Sequence, residues 1–493
     1  MATLSFRSLW LFLGIGLLLA ACGPTANAPT PTTPTAIAEA PTAAPTATPK
    51  PRPTAQAVPT PEIGKPVALR DDITITPVTQ TGGYFVRLKL DPSSNTIYYM
   101  NGNGDIFTLA PQETGANKTK RVYTASDIGA PSGFVAAGLA FGSDGTMFVL
   151  GNVTTPTTNQ VVIQKGTLGA DGERTWTNLA STEVYPASGT QFDHNGNGIV
   201  VSPDGAFVYF NIGSRTDHGE VEDANGAHPN TRELPLTSAI FRVPANAENL
   251  VLPNDAEKLK AEGYLFADGT RNAYDLAFGP DNQLFAIDNG PDADFADELN
   301  WIQEGKHYGF PWRFGNVDNP KLDPNYDISK DGRLQKDFFA VQSGLYVKDP
   351  SYPPPPEGVT FTDPIINVGP DADMFREADG SIYDASEIGE VAHSFTPHRS
   401  QLGLVFDNAN ALGGDLKGNG FMVSWGAAAG IIPDPGRDLL TFKLTKKGDT
   451  YEMTTQQLAV GFDHPVDAAL LGNKLYVLDW GSRGTIWEVT LPS

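Results

Sequence analysis

Cysteine is almost absent: Cys22 is the single one in 493 residues. No intramolecular disulfide is possible, so the fold must rest on core burial, which a chain of this length supplies amply. Cations are also scarce, with 34 Lys and Arg against 57 Asp and Glu, a formal net charge of −23. Phosphate neutralisation needs clustered Lys and Arg, so nucleic acid is excluded as a partner. The longest apolar run, Leu9 to Leu19, is too short to span a bilayer comfortably. Helical heptads are missing, and so are G-x-S-x-G, Walker and G-x-G-x-x-G strings, which leaves hydrolase-elbow, NTPase and dinucleotide readings without support. His218, His228, His307, His393 and His464 show no metal-ligand spacing and read as surface or packing residues.

The N-terminus reads as a secretion signal over residues 1–22. Arg7 supplies its positive charge, Leu9 to Leu19 its apolar core, and Leu19-Ala20-Ala21-Cys22-Gly23 resembles a bacterial lipoprotein cleavage box. Lipidation is the economical use of the lone Cys22 thiol. It predicts an extracytoplasmic, membrane-anchored protein that meets the membrane only through its lipid. The alternative is an ordinary secretory signal with an incidental cysteine. Residues 23–65 are Pro, Thr and Ala with few large apolar side chains. Such a segment cannot offset its ordering entropy by burial, and prolines extend it, so it is expected to be a disordered, semi-stiff tether.

Residues 66–493 carry a β signal that recurs. An apolar strand, a Gly/Pro/Asp/Asn turn and a second apolar strand appear in VRLKLDPSSNTIYYMN, GLAFGSDGTMFVLGN, GIVVSPDGAFVYFNIGS and DLAFGPDNQLFAID, and again in GLVFDNANALGGDLKGNGFMVSW and PVDAALLGNKLYVLDWGSRGTIWEVTL. Six such units predict an all-β, six-bladed β-propeller of four-stranded antiparallel blades; a pair of β-sandwiches explains the repeat less well. Ligands of propellers sit at the channel mouth, on loops from several blades. Two long insertions, 215–238 and about 313–375, are expected to shape the rim of such a site. Ala256 to Gly263 is expected to form a short helix.

The densest chemistry lies in residues 269–311. Arg271-Asn272 follow a glycine turn, a hairpin comes next, and an acidic loop then runs from Gly290-Pro291-Asp292 to Asp297-Glu298, closing on Asn300 and Tyr308-Gly309. An oxygen-rich loop suits a hard cation such as calcium, and a nearby guanidinium suits an anionic or carbonyl-bearing ligand. A further candidate is Asp193-His194-Asn195-Gly196, which places a histidine on a loop at a strand entry, where it can take a proton.

The order G-x-R-N, hairpin, G-P, D-E-L-N and G-x-x-Y-G-F-P resembles the glucose/sorbosone dehydrogenase family of pyrroloquinoline quinone (PQQ) dependent enzymes on six-bladed propellers. The resemblance is tight at 189–213 and 269–311 and looser over the rest of 80–490. It implies oxidation of an aldose at its anomeric carbon to the lactone, with electrons passed to a quinone or a small electron-transfer protein. By the same resemblance His194 is the base, Arg271 stabilises charge at the reacting quinone carbonyl, and Asn272 bonds the cofactor. Asp193 orients His194 or binds a substrate hydroxyl. The carbonyls of Gly290 and Pro291 hold the calcium that touches PQQ, and Glu298 with the Tyr308 carbonyl forms a second, structural calcium site. The sequence also departs from the family. Asn197 stands where members often have Arg, Gln401 replaces a usual Pro, Gly213-Ser214 replaces Gly-Asp, and Ser424-Trp425 is followed by Gly426-Ala427-Ala428-Ala429 instead of Asn-Arg. That removes a cationic cofactor contact for which Arg399, Lys417 or Arg437 are the candidate substitutes. Two alternatives follow: a sugar- or protein-binding propeller that has lost its cofactor contacts, and a calcium-dependent lactonase.

Overall fold

Each hairpin of the repeat becomes the inner half of a blade. In the computed structural model, which describes residues 62–115, 118–427, 432–481 and 484–493, six sheets stand around one channel. The signal segment, Cys22 and most of the tether lie outside the described residues. Blade 1 is Phe85–Asp91, Thr96–Asn101, Ile106–Leu109 and Thr119–Tyr123. Blade 2 begins at Phe134–Phe141, blade 3 at Gly196–Val201, blade 4 at Ala273–Phe278, blade 5 at Gln401–Phe406 and blade 6 at Pro465–Leu471. These six first strands line the channel, each beside the next, and the sixth returns to the first. Blade 6 is closed by an N-terminal strand: Thr74–Gln80 pairs antiparallel with Thr485–Thr490.

The expected antiparallel hairpins are present, but the blades are not uniformly four-stranded. Blade 4 has three strands among the described residues, and blades 2 and 5 have six. Apart from Tyr185–Pro186, which follows the fourth strand of blade 2, the extra strands come from distant segments. Leu250–Leu252 joins blade 2 in parallel, and Ile366–Pro370 joins blade 5 in parallel. Short segments added at an outer edge satisfy strand N–H and C=O groups that would otherwise stay open. The short helix spans Ala256–Ala261, with the Asp255 carboxylate accepting the Lys258 amide at its start.

The turns follow from their residues. In Ser202-Pro203-Asp204-Gly205 the glycine takes φ +71°, a left-handed value that other side chains rarely adopt. Between blades the core is aromatic and aliphatic: Phe148 and Leu150 of blade 2 pack with Phe210 and Phe241 of blade 3, and Phe285 of blade 4 meets Phe406 of blade 5. Each such fully buried side chain contributes about 1.5–3 kcal/mol.

One irregularity repeats in all six blades. The register slips once at the start of every innermost strand: at Phe85/Arg87, Ala136/Gly138, Gly196/Ile199, Ala273/Asp275, Gln401/Gly403 and Pro465/Asp467. A bulge bends a strand and re-aims the residues before it, which turns the entry loops over the channel mouth. Close approach at the channel wall also explains the glycines there. A Cβ on Gly138 would lie 2.5 Å from the Asn197 carbonyl oxygen, and one on Gly403 would lie 2.7 Å from the Asp467 Cα.

Candidate functional site

The repeat places the candidate side chains at one end of the channel. His194, Arg271, Arg399 and Asp463 each stand two residues before the first paired position of an innermost strand, in blades 3, 4, 5 and 6. Their position is therefore set by the blade architecture. Sequence had singled out the first two. Asn272 follows Arg271 as Asn195 follows His194. The carboxylate of Asp288, the last residue of the second strand of blade 4, accepts the backbone N–H groups of both Arg271 and Asn272 and so pins that entry loop. Asp479 does the same in blade 6 for Asp463 and His464.

His194 is half-buried, with its backbone N–H on the Ser214 carbonyl at 2.8 Å and its Nδ1 at 3.2 Å from the Ser214 hydroxyl. The Phe192 and Ser214 backbones also act on the ring. Burial, and then the nearby Arg271 charge, lower its pKa to about 3, so the ring is neutral at ordinary pH. Asp193 does not join it. The Asp193 carboxylate accepts the amides of Ser188 at 2.7 Å and Gly189 at 3.0 Å, so it organises the preceding turn. This departs from the expected role of orienting His194 or binding a substrate hydroxyl. A carboxylate beside a turn finds the nearest free N–H groups first.

Arg271 is 6% exposed, and each of its guanidinium nitrogens is engaged. Nε donates to the Asp217 carbonyl at 2.8 Å, Nη2 to the Asp217 carboxylate at 2.8 Å and Nη1 to the Asn289 carbonyl at 3.2 Å. Asp217 belongs to the first insertion and was not legible as a site residue. Its second carboxylate oxygen lies 2.8 Å from Nδ1 of His218, which is fully buried and stacked on Tyr346 at 3.8 Å. Despite burial, the His218 bond and the Arg271 charge hold Asp217 well below the usual carboxylate range. His218 is thus a packing residue, and one that carries the insertion into the site. Asn272 accepts from the Asn197 amide at 3.3 Å, so Asn197 borders the site, where the family often has Arg.

Gly290, Glu298 and Tyr308 line one small cavity, together with Arg271 and Asp288. These residues, expected from the family resemblance to serve two separate calcium sites, border the same cavity, and Pro291 is not on its wall. The Pro291 carbonyl accepts the Ala293 N–H at 2.7 Å. The Gly290 N–H donates to Asp297 at 2.8 Å. Glu298 accepts from Gly315 at 2.6 Å and from Asn300 at 2.8 Å. Burial, with Asp288 close by, raises the Glu298 pKa to about 8, and burial raises that of Asp288 to about 6. Among the described residues, no group of three or more His, Cys, Asp or Glu is placed to hold a metal ion.

The candidate replacements for the missing cation are occupied or elsewhere. Arg399 is fully buried between Asp434 and Asp438. Arg437 lies 3.8 Å from Asp463. Lys417 falls between the first and second strands of blade 5, hence at the opposite end of the channel. Ala428 and Ala429 lie outside the described residues. On the site face, blades 1, 5 and 6 add an aromatic run: Tyr84 is 4.0 Å from Trp480, Trp480 is 5.0 Å from Trp425, and Trp425 is 4.3 Å from His464.

Comparison with known proteins agrees with this architecture. Residues 103–331 match the family described as Glucose / Sorbosone dehydrogenase. The soluble aldose sugar dehydrogenase of Escherichia coli, in its apo-form, is similar over 85% of this chain and 99% of its own, with a TM-score of 0.51 at 14% identity. The PQQ domain of pyranose dehydrogenase from Coprinopsis cinerea, in its holo form, is similar over 88% of this chain and 98% of its own, with a TM-score of 0.51 at 12% identity. At such identity these likenesses establish the fold. No curated protein matches the chain.

Proposed function

We propose that this chain is a sugar dehydrogenase that oxidises an aldose at its anomeric carbon to the lactone. The observation that carries the proposal is His194: a neutral imidazole held through Nδ1 at the channel mouth, beside a buried Arg271–Asp217 pair, in a chain that matches the Glucose / Sorbosone dehydrogenase family over residues 103–331. A neutral imidazole suits removal of a proton from a sugar hydroxyl, and such a base typically contributes about 10²–10⁴ in rate. The Ser214 hydroxyl, which donates to the Thr216 carbonyl at 2.7 Å, faces Nδ1 and fixes the ring's orientation. The tilted aromatic run of Tyr84, Trp480 and Trp425 offers apolar surface for one face of a pyranose ring.

Such a reaction requires a two-electron oxidant, and PQQ is the proposed one. The family resemblance and the holo form of the pyranose dehydrogenase domain support it. His194 and Asn272 suit a bound quinone. The cationic side does not fit its three carboxylates as the residues stand, because Arg271 and Arg399 are both closed by internal carboxylates. Calcium is proposed for the cavity lined by Glu298, Asp288, Gly290 and Tyr308, an oxygen-rich pocket whose wall also carries Arg271 and Arg313. Electrons are proposed to leave to a quinone or a small electron-transfer protein, and a lipid on Cys22 to hold the enzyme at an extracytoplasmic membrane face. The closed guanidinium groups favour one second reading, a sugar-binding propeller without cofactor.

Reconstitution tests the proposal. Residues 62–493, stripped of metal and then given PQQ and calcium, are expected to reduce a dye with an aldose, and His194→Ala is expected to lose about 10²–10⁴ of kcat/KM. Near-normal activity in that variant removes His194 from the chemistry. Absence of dye reduction across an aldose panel promotes the binding propeller. Because His194 stays neutral down to about pH 3, the acid limb of kcat/KM is expected well below 6.5. A limb at 6.5 overturns the assignment of its charge state.

A further inference from the structure

We infer that Asp217 sets the ligand charge that the channel mouth accepts: it is a resident counter-ion that withholds Arg271 from any outside carboxylate. The inference rests on the channel mouth being the ligand site, as proposed above, and it explains why the cationic side does not fit a tricarboxylate.

Three observations carry it. Arg271 meets Asp217 twice, through the backbone carbonyl and through the carboxylate, each at 2.8 Å. A buried, doubly bonded guanidinium is not a free anion receptor. Asp217 is itself held on every side. One oxygen also accepts the Asp292 amide at 2.9 Å, and the other faces His218 Nδ1.

The loop that carries Asp217 is fixed as well. The amides of Asp217 and His218 donate to the Glu220 carboxylate at 2.7 and 2.8 Å, and the His218 carbonyl accepts from the Asn319 amide at 3.0 Å and the Tyr352 hydroxyl at 2.7 Å. With the His218 ring stacked on Tyr346, turning Asp217 aside would break several buried contacts at once. The third observation is what surrounds the pair. Asp288, Asp292 and Asp297 all lie close enough to Arg271 to feel its charge. An entering anion therefore meets a neutralised cation and further carboxyl groups. A neutral polyol or a cation meets neither obstacle. The first insertion, absent from the repeat pattern, is on this account the element that tunes the ligand class.

The test compares PQQ and citrate, two tricarboxylates of which only the first is a quinone, binding to the metal-free folded protein. Tryptophan fluorescence follows PQQ, and calorimetry follows citrate. The wild type is expected to bind PQQ more weakly than about 10 µM. Asp217→Asn keeps the shape and an acceptor for Arg271, and is expected to bind both anions at least about tenfold more tightly. The double variant Asp217→Asn with Arg271→Gln is expected to lose that gain, which locates it on Arg271. Wild-type binding of PQQ tighter than about 10 µM overturns the inference, as does an Asp217→Asn variant no tighter than wild type, or a gain for PQQ without one for citrate. If Asp217→Asn fails to fold, the wild-type titration decides on the same 10 µM boundary (an order-of-magnitude threshold). Dye reduction by the wild type with PQQ and calcium is scored separately. A gain in anion binding without dye reduction keeps the inference and sinks the dehydrogenase reading; dye reduction with tight wild-type PQQ binding does the reverse.

Discussion

Of the places where this propeller buries cations against carboxylates, the channel and its mouth differ in how the charges balance. In the channel, the bulged positions of the innermost strands supply Arg87, Asp275 and Asp467, with Lys89 two residues further along. The Lys89 ammonium lies 2.9 Å from both Asp275 and Asp467, and Arg87 donates to the Tyr274 carbonyl at 3.0 Å while covering the Tyr274 ring. Two cations face two carboxylates. Burial opposes the Lys89 charge, but Asp275 and Asp467 outweigh it and raise its pKa. At the mouth, Arg271 has Asp217, yet Asp288, Asp297 and Glu298 stand nearby, and two of these three are raised to about 6 and about 8. A balanced buried network ties blades together, whereas one with surplus acid holds groups near their titration range and so has room for a ligand. The same fold thus keeps a structural ion cluster and a functional one a short way apart along its axis.

Breaking the balanced cluster is expected to give the largest effect. Lys89→Met removes the ammonium that bonds both Asp275 and Asp467, in blades 4 and 6 that the lysine bridges from blade 1, and leaves Arg87 as the one cation beside two acids. Removing one partner of a buried pair costs about 3–5 kcal/mol, and taking the shared partner from two acids places this variant at the upper end. Urea unfolding measures it. A loss below about 1 kcal/mol would mean that the channel charges are solvated and the contrast with the mouth is void. Adding Asp275→Asn and Asp467→Asn to the same chain is expected to recover most of the loss, since neutral isosteres remove the stranded charge.

Arg271→Ala is expected to come next, at about 3 kcal/mol, because it strands a single carboxylate, Asp217, that keeps the Asp292 amide and His218 as partners. Loss of activity in that variant therefore reports on folding as well as on chemistry, whereas His194→Ala, which strands no buried charge, is expected to keep the fold. Unfolding curves for the two variants side by side check this; equal stability would place Arg271 in a solvated setting.

Most of the fold was legible because its signal is local. Period-two alternation, a turn such as Ser143-Asp144-Gly145, and recurrence six times lead to the inner hairpins directly. The outer edges were not legible, since Leu250–Leu252 and Ile366–Pro370 join blades through pairings far apart in sequence, and neither segment carries a pattern of its own. At the site, Arg271, Gly290, Glu298 and Tyr308 were singled out by the family resemblance and line one cavity, and Asn272 bonds Asp288 on its wall. Asp217 was missed because it sits in an insertion outside the repeat. Asp288 and Asp479 were missed although a signal was present: LFAID and LYVLD end on aspartate at the same repeat position, and both carboxylates bind the next entry loop. Aligning the six hairpins by their bulges, which only the structure shows, pairs His194 with Arg399, and Trp425 with Trp480.

The smallest of these effects sharpens the comparison most, because it asks whether the surplus acid at the mouth has a use. Glu298 is raised to about 8, chiefly by burial and then by Asp288, so the folded state holds a proton there that the unfolded chain releases near 4.5. A raised carboxyl pKa subtracts stability as pH climbs from about 4.5 to about 8, and the deficit is complete above both values. Glu298→Gln removes the titration. Its new amide N–H also finds an acceptor if Asn300 turns over, because the Asn300 Oδ1 is buried and has no partner. The metal-free variant is therefore expected to be more stable than wild type by on the order of 2 kcal/mol at pH 8, with no difference at pH 4.5. Thermal melts across that range measure it, and a constant difference would mean Glu298 is ionised throughout. Millimolar calcium then separates two uses of the charge. If the cavity holds the ion, the wild type gains stability with calcium, more so at higher pH as binding expels the Glu298 proton, and the variant gains little. If wild type and variant respond alike, the acid is only a buried neutral hydrogen-bonding group, and the surplus at the mouth reduces to Asp288, Asp292 and Asp297 around a cation already taken.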